Sequence, residues 1–318
     1  MINNNPQNKS DLNTNFTGPL RLLAAALAAT SLSAVTAPAQ GGLMRDMALD
    51  PQHRSFGQSY LAGGSALAAT GGGVAALRLT GTAGFPFPTN ASITMLNSRW
   101  GATALHAFTP YLQNGGVITG SVQTGSNYNS SPGFTSAIRR VIPIPGGAGF
   151  DPALADIALV EFDPIPGVND AVLGNFPGVR QNIVMSGFGR YGSEAAGIFP
   201  RDGNVRGWLA PVSSFLASGY NPAYYIDALV NPSSSQSLLG RGLTGDSGGA
   251  VFDLQGRTVG LMVATTNGGQ FSGATTILRF DNPEISSFIS SNIPTPSSAA
   301  LLGLAATAIG VRRRREQA

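Results

Sequence analysis

The chain has 318 residues, 42% of them hydrophobic and 11% charged, which is globular composition with length for one large domain or two small lobes. It holds no cysteine and two histidines, His53 and His106, so disulfides, thiolate catalysis and zinc–sulfur sites are excluded, and neither a metal site nor a cofactor is expected. The net charge of +3 comes from the ends, where Arg312–Arg315 form a run; between Gln40 and Ile293, 13 Arg face 14 Asp plus Glu, a net of −1, which leaves no nucleic-acid footprint.

From the N-terminus, residues 1–19 are polar and Asn-rich, with the look of a disordered leader. Arg21 precedes an apolar run, Leu22 to Val35, and Ala37-Pro38-Ala39 follows. That small-x-small pattern predicts an export signal over residues 1–39, cut by signal peptidase to leave Gln40 as the mature start. A buried core helix is the competing reading of the apolar run. In the next segment His53 stands among Asp50, Gln52 and Arg54 and is expected at the surface.

From about Gly57 to Phe280, short β-rich runs are broken by Gly, Pro, Asn and Ser. They include Val74–Leu79, Ala91–Leu96, Gly116–Val122, Ile138–Ile142, Ile157–Phe162, Ile183–Phe188, Gly249–Phe252 and Thr258–Ala264. Such spacing predicts an all-β sandwich or barrel. A stretch without strong strand signal, Pro164–Arg180, separates lobes of about 57–165 and 180–280. The one helix predicted after the export signal covers Asn282–Ser291. Asn282 would be its N-cap, Pro283 its first residue and Glu284 the acid of its first turn.

Residues 294–318 close the chain. Pro294-Thr295-Pro296 leads into the apolar stretch Ala299–Val311 and then four arginines. Basic residues behind an apolar helix hold that end on the cytoplasmic side of a membrane. This tail resembles the PEP-CTERM sorting signal, with Thr295 where that family carries Glu. The resemblance implies an exosortase-like partner and retention in exopolysaccharide or the cell envelope. A plain C-terminal membrane anchor is the alternative. Either way residues 40–293 are expected outside the cytoplasm, meeting the membrane through the terminal segments alone.

Three local patterns carry chemistry. His106 closes Trp100-Gly101-Ala102-Thr103-Ala104-Leu105-His106, just after a β-like run. Asp156 opens Asp156-Ile157-Ala158-Leu159-Val160, at the start of another. Ser247 stands in Gly245-Asp246-Ser247-Gly248-Gly249, a tight glycine turn. Acyl transfer needs such a hydroxyl beside backbone donors, together with a base and an acid that orients the base. Composition removes rivals. A Ser-Lys pair lacks its lysine in residues 40–293, and no histidine follows Ser247, as an α/β-hydrolase order requires. The order His, Asp, Ser also differs from the subtilisin order.

With these motifs in this order, the chain resembles the chymotrypsin/trypsin-like serine proteases over roughly residues 57–293. Thr103-Ala104-Leu105-His106, Asp156-Ile157-Ala158-Leu159 and Gly245–Gly249 match that family's base, acid and nucleophile motifs. Ser98-Arg99-Trp100 and Gly187-Phe188-Gly189 echo it further, the latter with Phe for Trp. The resemblance implies two six-stranded antiparallel β-barrels with a C-terminal helix, and a serine endopeptidase acting on peptide or protein substrates. It implies Ser247 as nucleophile, His106 as base, Asp156 as orienting acid, and the N–H groups of Gly245 and Ser247 as oxyanion hole. A protein that keeps the fold without the chemistry, as a surface or matrix binding module, is the alternative.

The chain departs from the family at several positions. Ala107 and Leu243 stand where Cys is common. No Ile-Val-Gly-Gly-like cleavage motif precedes Val74, so activity is not expected to need trypsin-type zymogen cleavage, and Asp246 needs another partner or none. Six residues before Ser247 stands Arg241, at the position that helps set side-chain preference in the family. It is either the cation of a substrate pocket that favours acidic P1 residues, or, as the cysteine-free loop favours, a residue pointing to solvent.

Overall fold

The computed structural model describes residues 42–294, apart from 81–88, 114–116, 148, 150, 214–215, 217, 231–235 and 267–272. The predicted export signal over residues 1–39 and the tail from residue 295 onward lie outside the described residues.

The chain enters through a short strand, β1 (Gly42–Met44), and a helix, α1 (Asp50–Ser59). Six strands then close into a barrel. They are β2 (Gly73–Thr80), β3 (Thr89–Met95), β4 (Trp100–Thr103), β5 (Thr119–Gln123), β6 (Thr135–Pro143) and β7 (Ala158–Phe162), in the order β2-β3-β4-β7-β6-β5. A short helix, α2 (Thr109–Gln113), follows β4. Every neighbouring pair in this barrel is antiparallel.

β2 shows why parts of the sequence read as unbroken apolar runs. Ala75, Leu77 and Leu79 point into the barrel with Ile93, Phe108, Val160 and Phe162. The alternate residues Val74 and Ala76 pack outward against Val184, Ala250 and Phe252. A strand covered on both faces carries no polar alternation.

The second lobe begins with β8 (Asn182–Gly187), β9 (Tyr191–Ser193), β10 (Gly197–Phe199), β11 (Arg206–Pro211), β12 (Tyr225–Leu229) and β13 (Gly240–Arg241). It ends with β14 (Ala250–Phe252), β15 (Thr258–Thr265), β16 (Ala274–Arg279) and a C-terminal helix, α3 (Pro283–Asn292). Six of these strands form one antiparallel sheet, β11-β8-β14-β15-β16-β12. Its two edges meet at an isolated bridge, Val212 to Ala228, reinforced by Ser213 N–H to Asp227 O at 2.8 Å. The second lobe is thus a half-barrel, closed at one seam point where the first has a full ladder. A small sheet, β10-β9-β1-β13, lies beside it.

The architecture is the mostly-β, two-barrel fold expected from the sequence. Asn282 caps α3 as predicted, accepting from the N–H groups of Glu284 and Ile285. Two expectations fail. Two further helices, α1 ahead of the barrels and α2 after β4, appear where the sequence predicted a single helix after the export signal. His53, expected at the surface, is fully buried inside the α1 contact. Its Nδ1 lies 2.8 Å from Gly207 O, and burial pushes its pKa down. Two of the polar neighbours that suggested exposure are themselves paired: Asp50 accepts from Arg206 Nε at 2.5 Å and from Arg54 Nε at 2.7 Å.

Candidate active site

The three motif residues come from loops at the facing edges of the two lobes. His106 lies in a single 3-10 turn, Leu105–Ala107, straight after β4. Buried Leu105 and Ala107 anchor that turn in the first barrel's core, which leaves His106 between them half-buried at the surface of the cleft. Asp156 precedes β7 and is buried. Its Oδ1 accepts the His106 backbone N–H at 2.8 Å, and its Oδ2 lies 2.6 Å from His106 Nδ1. An ionised carboxylate only accepts, so Nδ1 carries the proton and Nε2 is left as an acceptor. Ser247 Oγ lies 2.9 Å from that Nε2. Residues 50 and 141 positions apart in sequence therefore form one continuous hydrogen-bonded chain.

Two further bonds hold Asp156 in place. Its backbone N–H donates to the Tyr225 hydroxyl at 2.8 Å, and that hydroxyl donates to Leu154 O at 2.6 Å. Tyr225 belongs to β12 of the second lobe, so the acid is fixed by both halves of the molecule. Burial raises the Tyr225 pKa, as does the negative charge of Asp156. Tyr225 therefore stays a neutral donor.

The turn around Ser247 is set by its glycines and by β3. Gly245 and Gly248 have φ of +91° and +81°, a region open to glycine and costly for other residues. A Cβ on Gly248 would overlap Thr103 Oγ1 and Ser92 O. Ser92 N–H donates to Ser247 O at 3.0 Å, Ser92 Oγ to Gly245 O at 2.9 Å, and Thr94 Oγ1 to Gly248 O at 2.9 Å. With its carbonyls held by the first barrel, the turn aims its amides elsewhere. The N–H groups of Asp246, Gly248 and Gly249 are taken by Leu243 O, Met262 O and Asp246 O. Among the described residues, those of Gly245 and Ser247 donate to nothing. Two free donors beside a half-buried hydroxyl can hold a developing oxyanion.

Among the described residues Asp246 finds backbone N–H partners. It is buried beneath the turn, accepting from Gly189 N–H at 2.8 Å and Leu243 N–H at 3.0 Å. Burial pushes its pKa up to about 6, against the pull of those two N–H bonds and of Arg201 and Arg206.

Arg241 does not point to solvent, which corrects the reading that the loop favoured. It is fully buried on β13, between β1 and the turn, with Leu43 as its register partner. Its Nη1 donates to Thr266 O at 2.9 Å, and its guanidinium lies against Gly273. Burial holds its pKa down to about 10, with Glu194 acting the other way. The inserted β1 strand, which no hydropathy pattern announces, covers what would have been an open loop. No group of His, Asp or Glu residues that could hold a metal ion occurs among the described residues.

No protein-family model matches the sequence, and no curated protein matches it. Among solved structures, a collagenase, described as HL collagenase, has a similar fold. The TM-score is 0.52 at 15% identity, over 70% of this chain and 94% of that one. A likeness at that identity reports the fold alone. Together with the closed barrel, the half-barrel and the C-terminal helix, it assigns this chain the trypsin-like two-barrel fold.

Proposed function

We propose that the protein is a serine endopeptidase. The single observation that carries this is the chain Asp156–His106–Ser247, ending beside two unused N–H groups. In this reading Ser247 Oγ attacks the scissile carbonyl of a peptide or protein substrate while His106 Nε2 takes its proton. Asp156 holds the imidazole tautomer and stabilises the imidazolium. The N–H groups of Gly245 and Ser247 bind the oxyanion. His106 then returns the proton to the leaving amine, and water repeats the cycle on the acyl-enzyme. No cofactor enters the scheme. Arg241 would lie at the base of the acyl-side pocket, where its buried guanidinium favours an acidic P1 residue.

The same reading treats residues 40–293 as the exported catalytic domain, residues 1–39 as its export signal and residues 294–318 as a PEP-CTERM-like sorting or anchor segment. Its support there is the sequence pattern of the two ends.

The test is active-site labelling with a fluorophosphonate probe, with the labelled peptide sequenced. The expected result is covalent label on Ser247, with peptidase activity lower by on the order of 10⁴-fold in Ser247→Ala and an unchanged thermal midpoint. A folded, unlabelled protein would instead identify a binding module that keeps the fold without the chemistry.

A further inference from the structure

Resting on the peptidase reading above, we propose that Arg201, with Arg190 beside it, forms a cationic subsite for an acidic substrate side chain next to the scissile bond, separate from the pocket of Arg241.

Arg201 lies in the segment between β10 and β11. Its guanidinium rests directly on Gly245: a Cβ built on that glycine would overlap Arg201 Nε and Cζ. The scissile carbonyl oxygen must come within about 3 Å of the Gly245 N–H to be stabilised. A substrate residue close to that carbonyl therefore passes the guanidinium. Arg190 is anchored beside the turn by its backbone N–H, which donates to Thr244 O at 3.0 Å, and its charge acts on Arg201. Both side chains are partly exposed, so a ligand can reach them.

These two arginines are under-neutralised. Arg54, Arg139, Arg140, Arg206, Arg257 and Arg279 all have carboxylate partners. Among the described residues, neither Arg190 nor Arg201 makes an ion pair, and Arg201 Nε is buried without a hydrogen-bond partner. Burial and the charge of Arg190 both act against the Arg201 cation, while Tyr128 and Asp246 act for it. Asp246 makes no ion pair with it: its carboxyl lies under the turn on the N–H groups of Gly189 and Leu243. A half-desolvated guanidinium that lacks an anion gains most from binding one. Arg241 serves a different place, since it contacts Thr266 O and Gly273, whereas Arg201 lies on Gly245.

The experiment uses the full-length protein and internally quenched peptides with Glu, Gln or Lys placed in turn at each position from P3 to P3′. The expected result is a Glu-over-Gln preference of about ten- to hundred-fold in kcat/KM at one position other than P1. Arg201→Met should erase most of that ratio, Arg201→Lys should retain part of it, and Arg190→Met should reduce it by a smaller factor. Any preference at P1 should be untouched by Arg201→Met, which separates this subsite from Arg241. The proposal is overturned if no acidic preference exists outside P1, or if one survives Arg201→Met. Failure of the peptidase reading looks different: no peptide is cut and Ser247 takes no fluorophosphonate label, and the subsite then falls with it.

Discussion

Asp246 is the residue on which the turn depends. Its carboxyl fills the space beside Gly187 and Gly189, where any side chain would collide with it, and it ties Gly189 and Leu243 to the base of the turn. Its folded pKa of about 6 lies above the ordinary 3.8. The folded state therefore takes up the proton first. This group favours the fold below about pH 3.8, and that contribution is lost as pH rises through about 6, a cost on the order of 3 kcal/mol at neutral pH. The charge is tolerated for what it organises, a turn with two free N–H groups. As pH falls below about 6 the carboxyl becomes protonated and its grip on the two N–H groups weakens. Labelling of Ser247 is expected to fall on the acid side with one more proton in the unmodified protein than in Asp246→Asn. A plot of log rate against pH whose acid limb is steeper by about one in the unmodified protein would show this. Equal acid limbs in the two proteins would count against it. At this scale the sequence singled out His106, Asp156, Ser247 and Asp246, because each sits in a short motif. It did not reveal which cations lie near them, since Arg201 is 44 positions from Gly245 and no local pattern joins them.

Among the elements, α1 was the least legible. Its sequence, Asp50-Pro51-Gln52-His53-Arg54-Ser55-Phe56-Gly57-Gln58-Ser59, is polar overall, with Phe56 its one large apolar side chain, and an isolated ten-residue helix is marginal in water. Tertiary contacts hold it. Asp50 meets the buried Arg206, which also bonds Asp202, His53 reaches Gly207 O, and Gly57 lies against the backbone of β11. A Cβ on Gly57 would stand 2.5 Å from Arg206 C and 2.7 Å from Gly207 N. Replacing a helical glycine by alanine normally stabilises by up to about 1 kcal/mol; here the sign should reverse. Gly57→Ala is expected to lower unfolding free energy by about 1–3 kcal/mol, measured by urea titration, while Gln58→Ala on the exposed face changes it by less than about 0.5 kcal/mol. A neutral or stabilising Gly57→Ala would mean that α1 is not docked this way. The barrel strands were legible where they were long and apolar, as in β2, β3, β7, β8 and β15. The short strands β1, β9, β10 and β13 were not, because two or three residues carry no period and each is defined by its partner. β16, Ala274-Thr275-Thr276-Ile277-Leu278-Arg279, had the β-branched composition that could have announced it.

Across the whole molecule, the site exists only where the lobes meet. β3 contributes Ser92 and Thr94 to the turn of the second lobe. β12 returns Tyr225 to the acid of the first. Below them a shared core joins Trp100, Ala102, Ile157 and Leu159 to Leu261, Leu278, Phe280 and the α3 residues Ile285, Phe288 and Ile289. Tyr225→Phe should report on this coupling. It strands the Asp156 N–H and Leu154 O, for a loss of about 1–3 kcal/mol in stability. On the proposed peptidase reading it also loosens the carboxylate bonded to His106, so kcat should drop roughly ten-fold while KM changes little. Thermal unfolding and steady-state kinetics check both; an unchanged kcat would show that the second lobe does not position Asp156.

The sequence by itself determined the fold class and singled out His106, Asp156 and Ser247, which the structure brings within hydrogen-bond distance of one another. Those follow from hydrophobic runs between turn residues and from motifs whose geometry is local. Tertiary structure alone decided that His53 and Arg241 are buried, that Asp246 rests on backbone N–H groups, that β1 and α1 dock on the second lobe, and that Arg201 lies on Gly245. Burial, pKa and ion pairing depend on which distant segments pack together, and no property of neighbouring residues encodes them.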